Sequence, residues 1–145
     1  MRYFEDVEVG EWFTTPGRTV TEADLVTFAG ISGDHATLDL TRGEPGRPAA
    51  VPDHLIMIIT SGLGFRVPVP QPHILAFMVC EWRFLAPVRV GDTVHCRMRV
   101  AAKRALREGG VVVEKRKVVN QRGEVVQEGE YKLMLARRPA DGSLP

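Results

Sequence analysis

Asp34 is the acidic side chain that the sequence places best for acid–base chemistry. It closes the run Ser32-Gly33-Asp34, which directly follows a short predicted helix. A carboxylate on a loop that is held by a rigid element can take up and release protons at a bound substrate. Aspartate also commonly accepts hydrogen bonds from turn amides without any catalytic part. From the local sequence alone, both interpretations of Asp34 are open.

The helix before this loop has its own start and stop signals. Thr21 and Asp24 have the spacing of a capping box, in which a hydroxyl and a carboxylate satisfy the first amides of a helix. Gly30 and Gly33 predict its end. Its predicted buried face consists of four apolar residues, Leu25, Val26, Phe28 and Ala29.

A second helix is predicted after a loop rich in Gly, Pro and Arg between Thr41 and Pro52. Its run Leu55–Ile59 is apolar on all sides, so we expect other structure to surround it. Asp53 stands at the position of an N-cap.

The rest of the chain is predicted to be extended. Alternation of apolar and polar residues is clear in Thr93–Val100, and Asn120–Gly123 is a hairpin signal. The predicted long strands are Ile74–Phe84, Thr93–Val100, Val111–Val119 and Val125–Ala136. A buried helix ahead of antiparallel strands predicts an α+β fold in which the sheet wraps around a central helix. Unpaired sheet edges predict self-association. We expect a single domain over 1–138 and a tail over 139–145.

Composition excludes several function classes. The 145 residues carry a net charge of +1 with 26% charged residues, so neither nucleic acid nor an anionic membrane is an expected partner. From the acidic N-terminus we expect no signal peptide, and no apolar run has the length of a membrane span. Cys80 and Cys96 have the spacing of neither a metal site nor a disulfide framework, which predicts buried thiols in a cytoplasmic protein. No Gly-rich phosphate loop or ligand cluster is present, so we expect no cofactor and no metal.

Short segments along nearly the whole chain resemble one known family. Ser32-Gly33-Asp34 and Ser61-Gly62-Leu63 are two of them. The others are Phe4–Glu11, Thr19–Asp24, Phe28-Ala29, Arg83–Val88 with Gly91-Asp92, and Asn120–Val126. In this order they resemble the MaoC-like (R)-specific enoyl-CoA hydratase/dehydratase family, which implies the hotdog fold. The resemblance further implies that water is added to, or removed from, the double bond of an enoyl thioester.

The family's catalytic pattern is only partly present. An Asp and a His five residues apart, in a pattern such as G-D-x-N-P-x-H, activate the water in that family. Asp34 matches the aspartate, but Asp39 stands at the histidine position. Asp53 stands where the family has the glycine whose backbone N–H polarises the thioester carbonyl. Ser61 matches a serine of the family's site.

These departures change the expected chemistry. A carboxylate at Asp39 lacks the near-neutral pKa of imidazole, although two carboxylates can divide acid and base work when one is held protonated. The negative charge of Asp53 would repel a developing enolate, and its alternative role is that of a helix cap. His35 and His54 are the nearby histidines; each is either a substrate contact or a structural or solvated residue.

Three hypotheses follow. The first is a hydratase or dehydratase with catalytic Asp34 and Asp39, and with substrate contacts at His35, Asp53, His54 and Ser61. Its partner is an acyl-CoA or acyl-carrier thioester, bound by a homodimer or higher homo-oligomer. The second is a hotdog thioesterase, in which Asp39 or Asp53 activates water or attacks the carbonyl. The third is an inactive acyl-binding subunit that pairs with an active MaoC-like partner.

Overall fold

One antiparallel sheet and two α-helices make up the described part of the chain, residues 1–36 and 48–139 of a computed structural model. A short 3-10 turn, Phe4–Asp6, precedes them. In chain order the elements are β1 (Trp12–Thr14), β2 (Arg18–Thr19), α1 (Glu22–Ser32), α2 (Asp53–Gly64), β3 (Ile74–Phe84), β4 (Thr93–Leu106), β5 (Gly109–Asn120) and β6 (Val125–Leu135). Residues 140–145 of the predicted tail lie outside the described residues.

The sheet has the strand order β1-β4-β5-β6-β3, and β2 also pairs with β4. Every pairing is antiparallel. The predicted hairpin between β5 and β6 is confirmed: Gly123 donates its N–H to the Asn120 carbonyl at 3.0 Å. Gly123 has a φ of 80°, a conformation that favours glycine at this turn.

The sheet wraps around α2, which confirms the predicted α+β architecture. The alternation predicted in β4 is confirmed, because Val94, Cys96, Met98 and Val100 are all buried. The buried side chains of α2 are Leu55, Ile56, Ile59, Thr60 and Leu63. The expectation that α2 is surrounded on all sides is wrong, since Ile58 is 60% exposed on the face that turns away from the sheet.

Helix α1 has the predicted capping box. The Thr21 N–H donates to Asp24 Oδ2 at 2.9 Å, and the Asp24 N–H donates back to Thr21 Oγ1 at 3.4 Å. Gly33 ends the helix in the left-handed conformation, with a φ of 72°. Two expectations are wrong. Gly30 lies inside the helix, and Val26 is 61% exposed because α1 buries only the side that carries Leu25 and Ala29.

Strand β3 is an edge strand and carries many exposed apolar side chains. Within the described residues it pairs with β6 alone. Its exposed large apolar residues are Leu75, Phe77, Met78, Val79 and Phe84. Cys80 is also exposed in the single chain, so the prediction that it is buried there is wrong. Cys96 is buried as predicted, and burial raises the pKa of its thiol to about 11.

Candidate functional site

The N-terminus of α2 is held in place by the segment that precedes it. Val51 donates its N–H to the Val88 carbonyl at 2.8 Å, and Val90 donates to the Ala49 carbonyl at 3.0 Å. The expectation that Asp53 caps this helix is wrong. Pro52, with a φ of −55° and a ψ of 131°, occupies the cap position and has no side-chain acceptor, so Asp53 is the first helical residue.

A buried glutamine connects the first turn of α2 to the sheet. Gln127 on β6 is 0% exposed. Its Nε2 donates to the Asp53 carbonyl at 2.9 Å and lies 3.5 Å from Asp53 Oδ1. Its Oε1 accepts from Trp82 Nε1 at 2.9 Å. Sequence analysis missed Gln127; the signal was an uncharged polar residue inside the apolar start of a predicted strand.

An open depression of about 320 Å³ lies beside the same helix terminus. Its lining comes from the segment before α2, from Asp53, and from the end of β3 and the residues after it: Ala50, Val51, Phe84, Leu85, Ala86 and Pro87. His54 is exposed, and its ring centroid is 5.4 Å from that of Phe84. The first amides of a helix have no intrahelical acceptor, and the helix dipole adds partial positive charge there. This terminus can therefore stabilise an anionic oxygen.

Asp34 and His35 follow α1 as exposed residues. The Asp34 N–H donates to Ser32 Oγ at 3.1 Å, and the His35 N–H donates to the Gly33 carbonyl at 3.1 Å. These contacts shape the turn that carries the Asp34 carboxylate. Asp39, the predicted partner of Asp34, lies outside the described residues. The pairing of the two acids therefore stays a prediction.

Ser61 belongs to a set of polar side chains between α2 and the sheet, here called the inner polar cluster: Ser61, Glu114, Arg116 and Tyr131. The Ser61 side chain lies close enough to the Tyr131 hydroxyl to lower its pKa slightly, and Tyr131 is 1% exposed. Burial raises the pKa of Tyr131, although the nearby Arg116 charge opposes that shift. Arg116 Cζ lies 4.3 Å from the centre of the Tyr131 ring. Sequence analysis missed Glu114, Arg116 and Tyr131, because β5 shows no clean alternation around Glu114–Lys117.

Two further properties concern binding in general. Across residues 1–36 and 48–139, no three His, Cys, Asp or Glu side chains are grouped so that they could hold a metal ion. Neither α1 nor α2, the helices in those ranges, is long and apolar enough to cross a membrane.

Comparison with known proteins places these features in context. The family model of the FAS1-like dehydratase domain region matches residues 7–129. The chain is 34% identical to Protein MaoC of Klebsiella aerogenes in an alignment that covers 70% of this chain and 31% of that protein. It is 30% identical to the (R)-specific enoyl-CoA hydratase of Rhodospirillum rubrum in an alignment that covers 95% of this chain and 94% of that enzyme. A Mycobacterium tuberculosis protein with a double hotdog fold superposes with a TM-score of 0.83 at 20% identity, over 99% of this chain and 46% of that one. The predicted hotdog fold is thereby confirmed.

Proposed function

The chain belongs to the MaoC-like hydratase/dehydratase family, and from this premise we propose that it adds water to, or removes water from, an enoyl thioester in the cytoplasm. The observation that carries the proposal is the N-terminus of α2. It is anchored by Val51 and Gln127 and stands beside a depression of about 320 Å³. A thioester carbonyl seated there would meet the amides and positive dipole of the helix terminus.

Asp34 and Asp39 divide the proton transfers in this proposal. In hydration, the Asp34 carboxylate takes a proton from water while the water oxygen bonds to the β-carbon of the enoyl group. The resulting enolate oxygen is stabilised at α2, and protonated Asp39 delivers its proton to the α-carbon. A proton then passes from Asp34 back to Asp39. One water is consumed per turnover, and dehydration is the reverse sequence.

Asp53 and His54 border the carbonyl in this arrangement. The Asp53 carboxylate is unfavourable for an enolate, so the useful donor is a backbone N–H of the first helical turn rather than a side chain. Gln127 supports the choice of a backbone N–H as the donor, because its Nε2 contacts both the Asp53 carbonyl and Asp53 Oδ1. In this proposal the exposed His54, whose ring lies beside that of Phe84, is a substrate contact, as is His35 on the Asp34 turn.

The proposed working form is a homodimer built on β3. This edge strand exposes apolar side chains along its length, among them Leu75 at 49%, Phe77 at 53% and Met78 at 51%. A long apolar edge strand readily pairs with another strand. An antiparallel pair of β3 strands related by a two-fold axis would cover these side chains and extend both sheets into one. It would also bring the partner close to the depression, which the end of β3 helps to line.

A catalytically empty subunit is the second candidate. The replacement of the family histidine by Asp39 motivates it, because a carboxylate ionises near pH 4 whereas imidazole exchanges protons near neutrality. This form would bind an acyl thioester and would act beside a MaoC-like partner that has the complete Asp–His pair.

Product analysis of the purified protein with trans-2-enoyl-CoA thioesters separates these functions. The proposal predicts 3-hydroxyacyl-CoA, detected by loss of the enoyl absorbance and by mass spectrometry. Release of free CoA thiol without hydration would instead identify a thioesterase. Binding of the thioester with no turnover, and turnover only after a MaoC-like partner is added, would identify the empty subunit.

A further inference from the structure

The inner polar cluster contains a donor group that nothing in the described chain satisfies. Arg116 is only 9% exposed. Its Nε and its Nη2 both lie 2.5 Å from one oxygen of Glu114, Oε2. Nη1 is buried, and among the described residues it has no hydrogen-bond partner. A buried guanidinium N–H without an acceptor is unfavourable, so this position suits an acceptor supplied by a ligand.

A cavity of about 80 Å³ lies beside Arg116. It is bounded by the last turn of α2, by residues 65–72 and by the inner faces of β4, β5 and β6. Most of its walls are apolar, with Phe13, Val112 and Leu133 among them. The polar side chains in its lining are Arg2, Gln71, Glu114 and Arg116. This volume exceeds that of a single water, which needs roughly 10–15 Å³ on the same measure. This volume has room for the end of an acyl chain that carries a polar group.

The cavity begins about one helical turn from Ser61, the predicted substrate contact. Gly64 is three residues after Ser61, so the two lie on the same side of α2 and roughly 5 Å apart along its axis. Both lie beside the cluster: Ser61 is near the Tyr131 hydroxyl, and a Cβ on Gly64 would stand 3.4 Å from Arg116 Nη1. The glycine at position 64 keeps side-chain atoms out of the space next to Arg116 Nη1.

We propose that Arg116 selects acyl thioesters whose distal end carries an oxygen acceptor, a carbonyl or a carboxylate, in place of a methyl group. This inference rests on the proposed function and names its substrate class. The distal oxygen accepts hydrogen bonds from Arg116 Nη1, while Glu114 continues to balance the charge of the guanidinium. A methyl-ended chain would fill the cavity but leave Nη1 unpaired. Sites with a buried polar group discriminate strongly against a ligand that cannot satisfy it.

The test compares enoyl-CoA thioesters of equal chain length that end in a methyl group, a methyl ester or a carboxylate. For the wild-type protein, we expect kcat/KM for at least one oxygen-ended thioester to exceed that of the methyl-ended one by about a hundredfold. In Arg116→Met combined with Glu114→Gln, which leaves no buried charge unpaired, the ratio of kcat/KM between the oxygen-ended and the methyl-ended thioesters should fall to about one. The matched control is Arg97→Met on the exposed face of β4, which should keep the wild-type ratio.

Binding of the saturated, unreactive thioesters by calorimetry gives a second readout that does not depend on turnover, and the same preference is expected there. Equal or tighter binding of the methyl-ended thioester to the wild-type protein would overturn the inference, even if the double variant does not fold. If no thioester is hydrated but binding still favours the oxygen-ended thioesters, the proposed function is contradicted and the role of Arg116 is not. If the protein hydrates the methyl-ended thioester in preference to the oxygen-ended ones, the role of Arg116 is contradicted and the proposed function is not.

Discussion

Gln127 Nε2 donates a hydrogen bond of 2.9 Å to the carbonyl of Asp53, so a side chain of β6 sets the position of the first turn of α2. The same amide accepts from Trp82 Nε1 at 2.9 Å, which fixes the orientation of its oxygen and nitrogen. The helix terminus proposed to hold the thioester carbonyl is thus attached to the rigid sheet.

Replacement of Gln127 by methionine tests this attachment. Gln127→Met keeps the side-chain length but removes the sheet's hydrogen bond to the Asp53 carbonyl and leaves the Trp82 N–H without its acceptor. We expect a loss of about 1–3 kcal/mol in the free energy of unfolding, measured in urea. We also expect a fall in kcat for hydration that exceeds the change in KM, because the displaced amides act mainly in the transition state. Equal stability and unchanged kcat would show that the contact positions nothing of importance.

Asp92 gives the fold a specific pH dependence. Burial by itself would raise the pKa of Asp92, but hydrogen bonds from Gln121, the Arg89 N–H and Arg122 outweigh it and lower the pKa below its ordinary value of 3.8. Ionised Asp92 therefore stabilises the folded state above that ordinary value. The stabilisation is lost as the pH falls through the lower, folded-state pKa.

Asp92→Asn should accordingly destabilise the protein by about 1–3 kcal/mol at pH 7. The difference from wild type should shrink as the pH is lowered below about 4. Urea unfolding at several pH values measures both effects, with Glu108→Gln, an exposed acid, as the control. A difference that stays constant from pH 7 to pH 3 would mean that ionisation of Asp92 does not contribute.

The capping box of α1 predicts an effect at Thr21 that a nearby threonine should not show. Thr21→Ala removes the acceptor for the Asp24 N–H and should cost about 1 kcal/mol of stability. Thr27→Ala is the matched control, since exposed Thr27 donates only to the Ala23 carbonyl within the helix and alanine is a better helix former. Equal melting temperatures for Thr21→Ala and wild type would argue against the cap.

The proposed dimer makes a prediction for β3. Met78 is 51% exposed in the single chain, and a glutamate there would place a charge in the interface. We expect Met78→Glu to elute as a monomer in size-exclusion chromatography with light scattering, whereas wild type elutes as a dimer. Val9→Glu, a change at a residue that is 57% exposed away from β3, should remain dimeric. A dimeric Met78→Glu protein, or a monomeric wild type, would contradict the proposed interface.

Local patterns predicted much of the fold. The Thr21–Asp24 capping box, the alternation of β4 and the Asn120–Gly123 turn each depend on residues close in sequence, and all three are confirmed. Patterns could not reveal contacts between distant residues. Gln127 and Asp53 are 74 residues apart, and only the assembled sheet brings them together.

The wrong predictions have similar causes. Cys80 has the sequence surroundings of a buried strand residue, and its exposure follows from the edge position of β3, which depends on the strand order. Pro52 is the N-cap in place of Asp53. This depends on the backbone dihedral angles of Pro52, which residue propensities do not predict. Asp34 and Ser61 remain predictions from the sequence, and the sequence could not predict the neighbours of Ser61 on β5 and β6.

The most direct test of the account is the rate of enoyl-CoA hydration in Asp34→Asn, compared with Glu22→Gln, an exposed acid on the preceding helix. With both variants folded, as judged by unchanged melting temperatures, we predict that Asp34→Asn loses at least about a hundredfold in kcat while Glu22→Gln keeps wild-type activity. A wild-type rate in Asp34→Asn would contradict the assignment of Asp34 as the group that activates water.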